Sequence, residues 1–260
     1  MTYRASPRDG VAWVTGASSG IGRAVALELA RRGWTVAATA RRLDALEALA
    51  RDPAAAPGRI VAHPGDVTDE AGLAGIIDGI ERIHGPVALA FLNAGTGSGA
   101  GGRGLPDGDA LRRAFAVNLF GVANGLLPLL ARMGARGRGQ VAVNASVAGY
   151  RGLPGAAAYG ASKAAAIHLC EALAFDARRA GVTLQLVNPG FVETPMTARN
   201  RFPMPFLTTP DAAARRICDG FARGGFEIAF PRRLALVLKV LRLLPYRAYH
   251  PLVARVTRRG

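Results

Sequence analysis

Tyr159 and Lys163 stand four residues apart in Tyr159-Gly160-Ala161-Ser162-Lys163, a spacing that puts a phenol and an ammonium on one face of a helix. Tyrosine's reference pKa of ~10 is too high for efficient proton exchange near neutrality, and a neighbouring positive charge stabilises the phenolate and lowers it. The pair suits proton donation in one direction and abstraction in the other. Only Lys163 and Lys239 are lysines among 33 basic residues, so a lysine at this offset is hard to ascribe to chance. Ser146 lies thirteen residues upstream of Tyr159. Its hydroxyl can donate to an oxygen on which negative charge develops. A second cluster is Thr15-Gly16-Ala17-Ser18-Ser19-Gly20-Ile21-Gly22. Glycines here permit a tight turn and close backbone approach, and the free N–H groups of a helix start suit a pyrophosphate.

Strand ends and helix starts must position these groups. Short apolar, often β-branched runs occur at Val11 to Thr15, Thr35 to Thr39, Arg59 to His63, Val87 to Leu92, Gln140 to Asn144 and Thr183 to Val187. Between them lie segments of helical period: one ending at Arg32, then Leu43 to Arg51, Glu70 to His84, 107 to 134 and 157 to 180. Such alternation, with near-continuous apolar strands, predicts an α/β fold: a doubly wound parallel sheet with helices on both faces. The glycine loop then follows the first strand and Ser146 the fifth, both at the carboxyl edge where such sheets bind ligands. Half of the 260 residues are hydrophobic and no Pro- or Ser-rich linker divides them, so a single domain is expected. The glycine-rich stretch 96 to 104 reads as a rim loop.

The GxxxGxG spacing, Asn93-Ala94-Gly95, the NASVAG context of Ser146 and the Tyr159/Lys163 pair occur in this order along the chain. From about Val11 to Met196 the sequence thereby resembles the short-chain dehydrogenase/reductase family, in its ordinary, non-extended branch. The resemblance implies a Rossmann fold and hydride transfer between a nicotinamide and a carbonyl or secondary alcohol. Tyr159 would be general acid or base, Ser146 would hold the substrate oxygen and Lys163 the nicotinamide ribose. Asn118 would keep a water in a proton relay through Lys163. The cofactor would be held by Gly16, Ser18, Ser19, Gly20, Ile21 and Gly22, with Asp66 and Val67 at the adenine edge and Asn93, Ala94 and Gly95 beside the adenosine. Pro189, Gly190, Val192 and Thr194 would meet the carboxamide. At the end of the second strand stands Ala40-Arg41-Arg42, with no acid to read a free ribose 2′-hydroxyl. Arg41 and Arg42 can instead bind a 2′-phosphate, so NADP(H) is expected over NAD(H). The mechanism needs no metal, and the resemblance also implies a homodimer or homotetramer.

Residues 191 to 209 are expected to form a lid closing residues 1 to 230 into one catalytic unit. Phe191, Phe202, Met204 and Phe206 from that lid, with Ser146, Val147, Tyr150 and Leu153, would line a mostly apolar pocket for a hydrophobic carbonyl compound. The formal charge is +15. Residues 228 to 260 hold seven arginines, Lys239 and no acid, giving +8. With Leu234, Leu236, Val237, Val240, Leu241 and Leu244, residues 231 to 260 read as a basic amphipathic helical tail suited to an anionic membrane surface or to another subunit. No nucleic-acid motif accompanies the charge. Two cysteines far apart, and no secretory pattern at the N-terminus, lead to the expectation of a cytoplasmic protein, peripheral to the membrane if the tail binds lipid. The competing reading is a non-catalytic NADP(H)-binding redox sensor or interaction module, but such a protein needs the glycine loop and no proton donor.

Overall fold

In the computed structural model, which describes residues 3–97, 107–200 and 203–257, the apolar runs become seven strands. They are β1 (Val11–Thr15), β2 (Thr35–Thr39), β3 (Arg59–Ala62), β4 (Val87–Leu92), β5 (Gly139–Asn144), β6 (Val182–Pro189) and β7 (Glu227–Phe230). All neighbours pair in parallel, in the order β3-β2-β1-β4-β5-β6-β7. Nine α-helices accompany them among the described residues, the first seven between strands and the last two after β7: α1 (Gly20–Arg31), α2 (Leu43–Ala50), α3 (Glu70–His84), α4 (Gly108–Phe115), α5 (Gly121–Ala135), α6 (Ala157–Arg179), α7 (Pro210–Arg223), α8 (Arg232–Leu243) and α9 (Tyr246–Thr257).

Side chains alternate across the sheet. Ala12 and Val14 face α1, α2 and α7, while Val11 and Trp13 face α3, α5 and α6, giving one core on each side. This is a single Rossmann-like domain. The order reverses between β1 and β4, so the carboxyl ends of these strands open a crevice at the topological switch point.

The helix expected over 107 to 134 is interrupted by a π-turn at Ala116–Phe120. The continuous stretch Gly108–Ala135 is long and apolar enough to cross a membrane. Yet it joins two adjacent strands of one sheet and buries Val122, Leu126, Leu129 and Met133 in the core, which makes it a core helix. The expected tail helix is two helices, α8 and α9, separated at Leu244-Pro245. The Arg151 guanidinium donates to the carbonyls of Leu241, Arg242 and Leu244 and stacks on the Tyr246 and Tyr249 rings, 5.0 and 4.0 Å from their centroids. Tyr249 is buried and its hydroxyl donates to the Gly152 carbonyl at 2.6 Å.

Candidate active site

Tyr159 and Lys163 lie in the first two turns of α6, and Ser146 follows the end of β5 as the cap of a short 3₁₀ turn over Val147–Gly149. All three face one cleft with the glycine loop. The Ser146 hydroxyl accepts from the Ala148 N–H at 3.1 Å, which fixes its rotamer. Lys163 is only 2% exposed and its Nζ donates to the Asn144 carbonyl at 2.6 Å, 5.8 Å from the Tyr159 ring centroid. Asn118 sits in the π-turn, completely buried behind the cleft. Its Oδ1 accepts from the Thr96 N–H at 2.8 Å, and its Nδ2 donates to the Thr96 carbonyl and to Ser162 Oγ at 3.0 and 2.9 Å. Ser162 in turn donates to the Tyr159 carbonyl at 2.8 Å. A π-turn re-aims one residue out of helical register, a recurrent device at functional sites.

Burial dominates the titration of this cluster. It raises the Tyr159 phenol above its ordinary value, with a hydrogen bond from Ser146 pulling the other way. It pushes Lys163 down to about 8. The sequence alone leads one to expect the lysine to depress the phenol. In the fold, loss of solvent decides the direction for the phenol, and it also weakens the hold of Lys163 on its proton.

The cleft has a volume of about 770 Å³ and runs from the end of β2 past the glycine loop to Tyr159 and Lys163. Its walls include Gly16, Ser18, Ser19, Gly20, Ile21, Arg41, Arg42, Asp66, Val67, Asn93, Ala94 and Gly95, and, at the other end, Pro189, Gly190, Val192 and Thr194. Gly16 and Gly20 have φ of +67° and +55°, where side chains are strained. Gly22 lies one layer behind, where a Cβ would fall 2.3 Å from the Gly16 carbonyl oxygen. No side chain caps α1 and no acid occupies its first turn, and the residues of its start, Ser19, Gly20 and Ile21, line the cleft. A bare helix start at the floor of a cleft fits a dinucleotide pyrophosphate. At the β2 end, the nearest contacts of the two arginines are loose: Arg41 to Asp66 at 3.9 Å and Arg42 to the Ser18 carbonyl at 3.4 Å. Asn93 ties the loop together, donating to the carbonyls of Thr15 and Gly16 and accepting from Asn144 Nδ2.

Residues 10–203 match the profile of the short chain dehydrogenase family. The chain belongs to that family. Over 247 residues it is 40% identical to an uncharacterized oxidoreductase of Myxococcus xanthus, covering 94% of both chains. Among solved structures it is similar to a short chain dehydrogenase/reductase of Burkholderia phymatum in complex with NAD, with a TM-score of 0.79, 26% identity and coverage of 92% and 93%. A short-chain dehydrogenase of Sphingobium yanoikuyae in complex with NADPH superposes with a TM-score of 0.76, 26% identity and coverage of 94% and 95%.

In this short-chain dehydrogenase, several residues expected around the substrate do not wall the cleft. Of the eight, Ser146 does. Tyr150 instead lines the groove beside Leu236 and Val240 of α8, where its hydroxyl donates to Glu227 Oε1 at 2.5 Å. Val147 is buried in the core, and neither Leu153, Phe191, Met204 nor Phe206 reaches the cleft wall. For the residues of the 191–209 segment the reason is local. Thr208 donates its N–H to the Phe191 carbonyl and accepts from Glu193, which pins the ends of the 191–209 segment together and leaves Phe206 exposed. Phe202 lies outside the described residues. The walls instead include Val117, Pro195, Met196 and Asn144, which stand inside the motifs around Asn118, Thr194 and Ser146 without having been singled out, and Arg113, which carried no signal in the sequence. Both cysteines are buried and free.

Proposed function

We propose that the protein is an NADP(H)-dependent oxidoreductase that interconverts a carbonyl and a secondary alcohol, with Tyr159 as general acid and base. The observation that carries this reading is the convergence of Ser146, Tyr159 and Lys163 on the same cleft as the uncapped start of α1. When bound, the nicotinamide supplies hydride exchange with the substrate carbon. The chain's own residues do the rest. Gly16 to Ile21 hold the pyrophosphate, Asp66 and Val67 the adenine edge, and Arg41 and Arg42 the 2′-phosphate. Lys163 holds the ribose hydroxyls and keeps positive charge near the phenol. Ser146 donates to the substrate oxygen as charge builds on it. Tyr159 delivers the proton to that oxygen in reduction and removes it in oxidation. Asn118, anchored to Thr96 and Ser162, completes a proton path to Lys163.

Val192, Pro195, Met196 and Val117 support a hydrophobic substrate. Residues 1–230 then form the catalytic unit, with 191–209 as its lid. Exposed Phe120, Leu127 and Phe175 on the helical flank support assembly into a homodimer or homotetramer. The test is a cofactor-consumption screen over ketones and aldehydes graded by size and polarity. NADPH should be oxidised with apolar carbonyls, with kcat/KM at least about tenfold above that with NADH. Arg41→Ala/Arg42→Ala should erase the gap. Equal use of both cofactors by the parent chain contradicts the NADP(H) assignment, and inertness across the whole panel favours a sensor.

A further inference from the structure

We propose that the outer face of α8 and α9 docks on an anionic lipid bilayer. α8 is apolar on two sides. Ala235 is buried, and Leu234, Leu238 and Leu241 are half-buried on the inward side. On the other side Leu236, Val240 and Leu243 follow one another at i, i+4 and i+7 with exposures of 64%, 55% and 82%. Val237 is exposed beside them, and Tyr246 and Leu252 continue the apolar surface along α9. A helix on the surface of a water-soluble domain keeps one apolar stripe for the core and a polar one for solvent. α8 has a second stripe that stays largely exposed: Leu236, Val240 and Leu243 wall an open groove of about 510 Å³ with Ile167, Leu186 and Phe226, beside Glu171 and the Glu227–Lys239 pair.

The charge selects the occupant. From Ile228 to Gly260 the chain has seven arginines, Lys239 and no carboxylate. Arg232, Arg233 and Arg247 are exposed next to the apolar side chains. A second copy of the same surface would bring two segments of +8 together, against only Glu171 and the Lys239-paired Glu227 in each groove wall. A nucleic acid would take the charge and leave the leucines in water. A bilayer with anionic headgroups satisfies both, burying the leucines and Tyr246 at the acyl boundary while arginines meet the phosphates. The face is also held rigid, because Arg151 fastens the α8–α9 junction to the loop between Ser146 and Tyr159.

Full-length protein is sedimented with vesicles of phosphatidylcholine alone or with one third phosphatidylglycerol. It is expected to pellet with the anionic vesicles only, and to be released by about 0.5 M NaCl. Leu236→Ser/Val240→Ser/Leu243→Ser and Arg232→Gln/Arg233→Gln/Arg247→Gln should each weaken partitioning by about tenfold or more. Both should keep the parent's circular dichroism spectrum, Tm and mass by light scattering. The proposal fails if the parent chain stays in the supernatant with anionic vesicles. It also fails if the leucine variant lowers the oligomeric mass while vesicle binding is unchanged, or if duplex DNA is bound as tightly as the vesicles.

Discussion

In the proposed reaction Lys163 is subject to two opposing demands: proton transfer at Tyr159 wants it charged, and its 2% exposure disfavours charge. Burial brings it to about 8, so its ammonium is held below that pH and lost above it. For carbonyl reduction the raised phenol remains protonated through this range, and the lysine alone sets the alkaline limb. We expect kcat/KM for reduction to fall as pH rises through about 8. Lys163→Arg, which stays charged, should carry the limb upward. A profile flat to pH ~10 would contradict this role. The pair itself was legible, because four residues of spacing is a local property of a helix. Its titration order was not, since the desolvation comes from strands and turns remote in sequence.

At the scale of elements, the runs at Val11–Thr15, Thr35–Thr39 and Val87–Leu92 declared themselves as strands because both faces of a doubly covered sheet are apolar. The π-turn at Ala116–Phe120 left no such trace, since its shift of helical phase is confined to five residues, too few for a periodicity to register. It is nevertheless what aims Asn118 at Thr96 and Ser162. Asn118→Ala would leave the Thr96 N–H and carbonyl and the Ser162 hydroxyl short of partners, at about 1–3 kcal/mol. Tm should drop by roughly 2–10 °C in thermal melts, and kcat by more than the loss of folded protein accounts for. An unchanged Tm would mean that water replaces the amide without cost. The break of the tail into two helices escaped the sequence reading as well: 231 to 260 read as one helical tail, and the chain turns at Leu244-Pro245.

Contacts between distant parts of the whole molecule were the least legible. Tyr150 looked like a substrate wall because it is four residues from Ser146, but its partner Glu227 is 77 residues away. Glu227 also accepts from Asn188 Nδ2 at 2.8 Å and pairs with Lys239, so one carboxylate joins β6, β7 and α8. Despite burial, these partners hold its pKa below the ordinary carboxylate value. A lowered carboxylate stabilises the fold above its unfolded pKa, and that contribution disappears as pH falls through the folded value. Glu227→Gln should therefore melt a few degrees lower, about 2–4 °C per kcal/mol lost, at pH 7. The difference should vanish in acid below the folded pKa, and an equal difference at all pH values would place the effect in packing instead. The central claim, that one phenol moves the proton in a cleft built to hold NADP(H), is tested most directly by Tyr159→Phe. NADPH affinity measured by fluorescence should stay within about twofold while turnover falls by about 10²–10⁴. Turnover preserved in the phenylalanine variant would contradict the account.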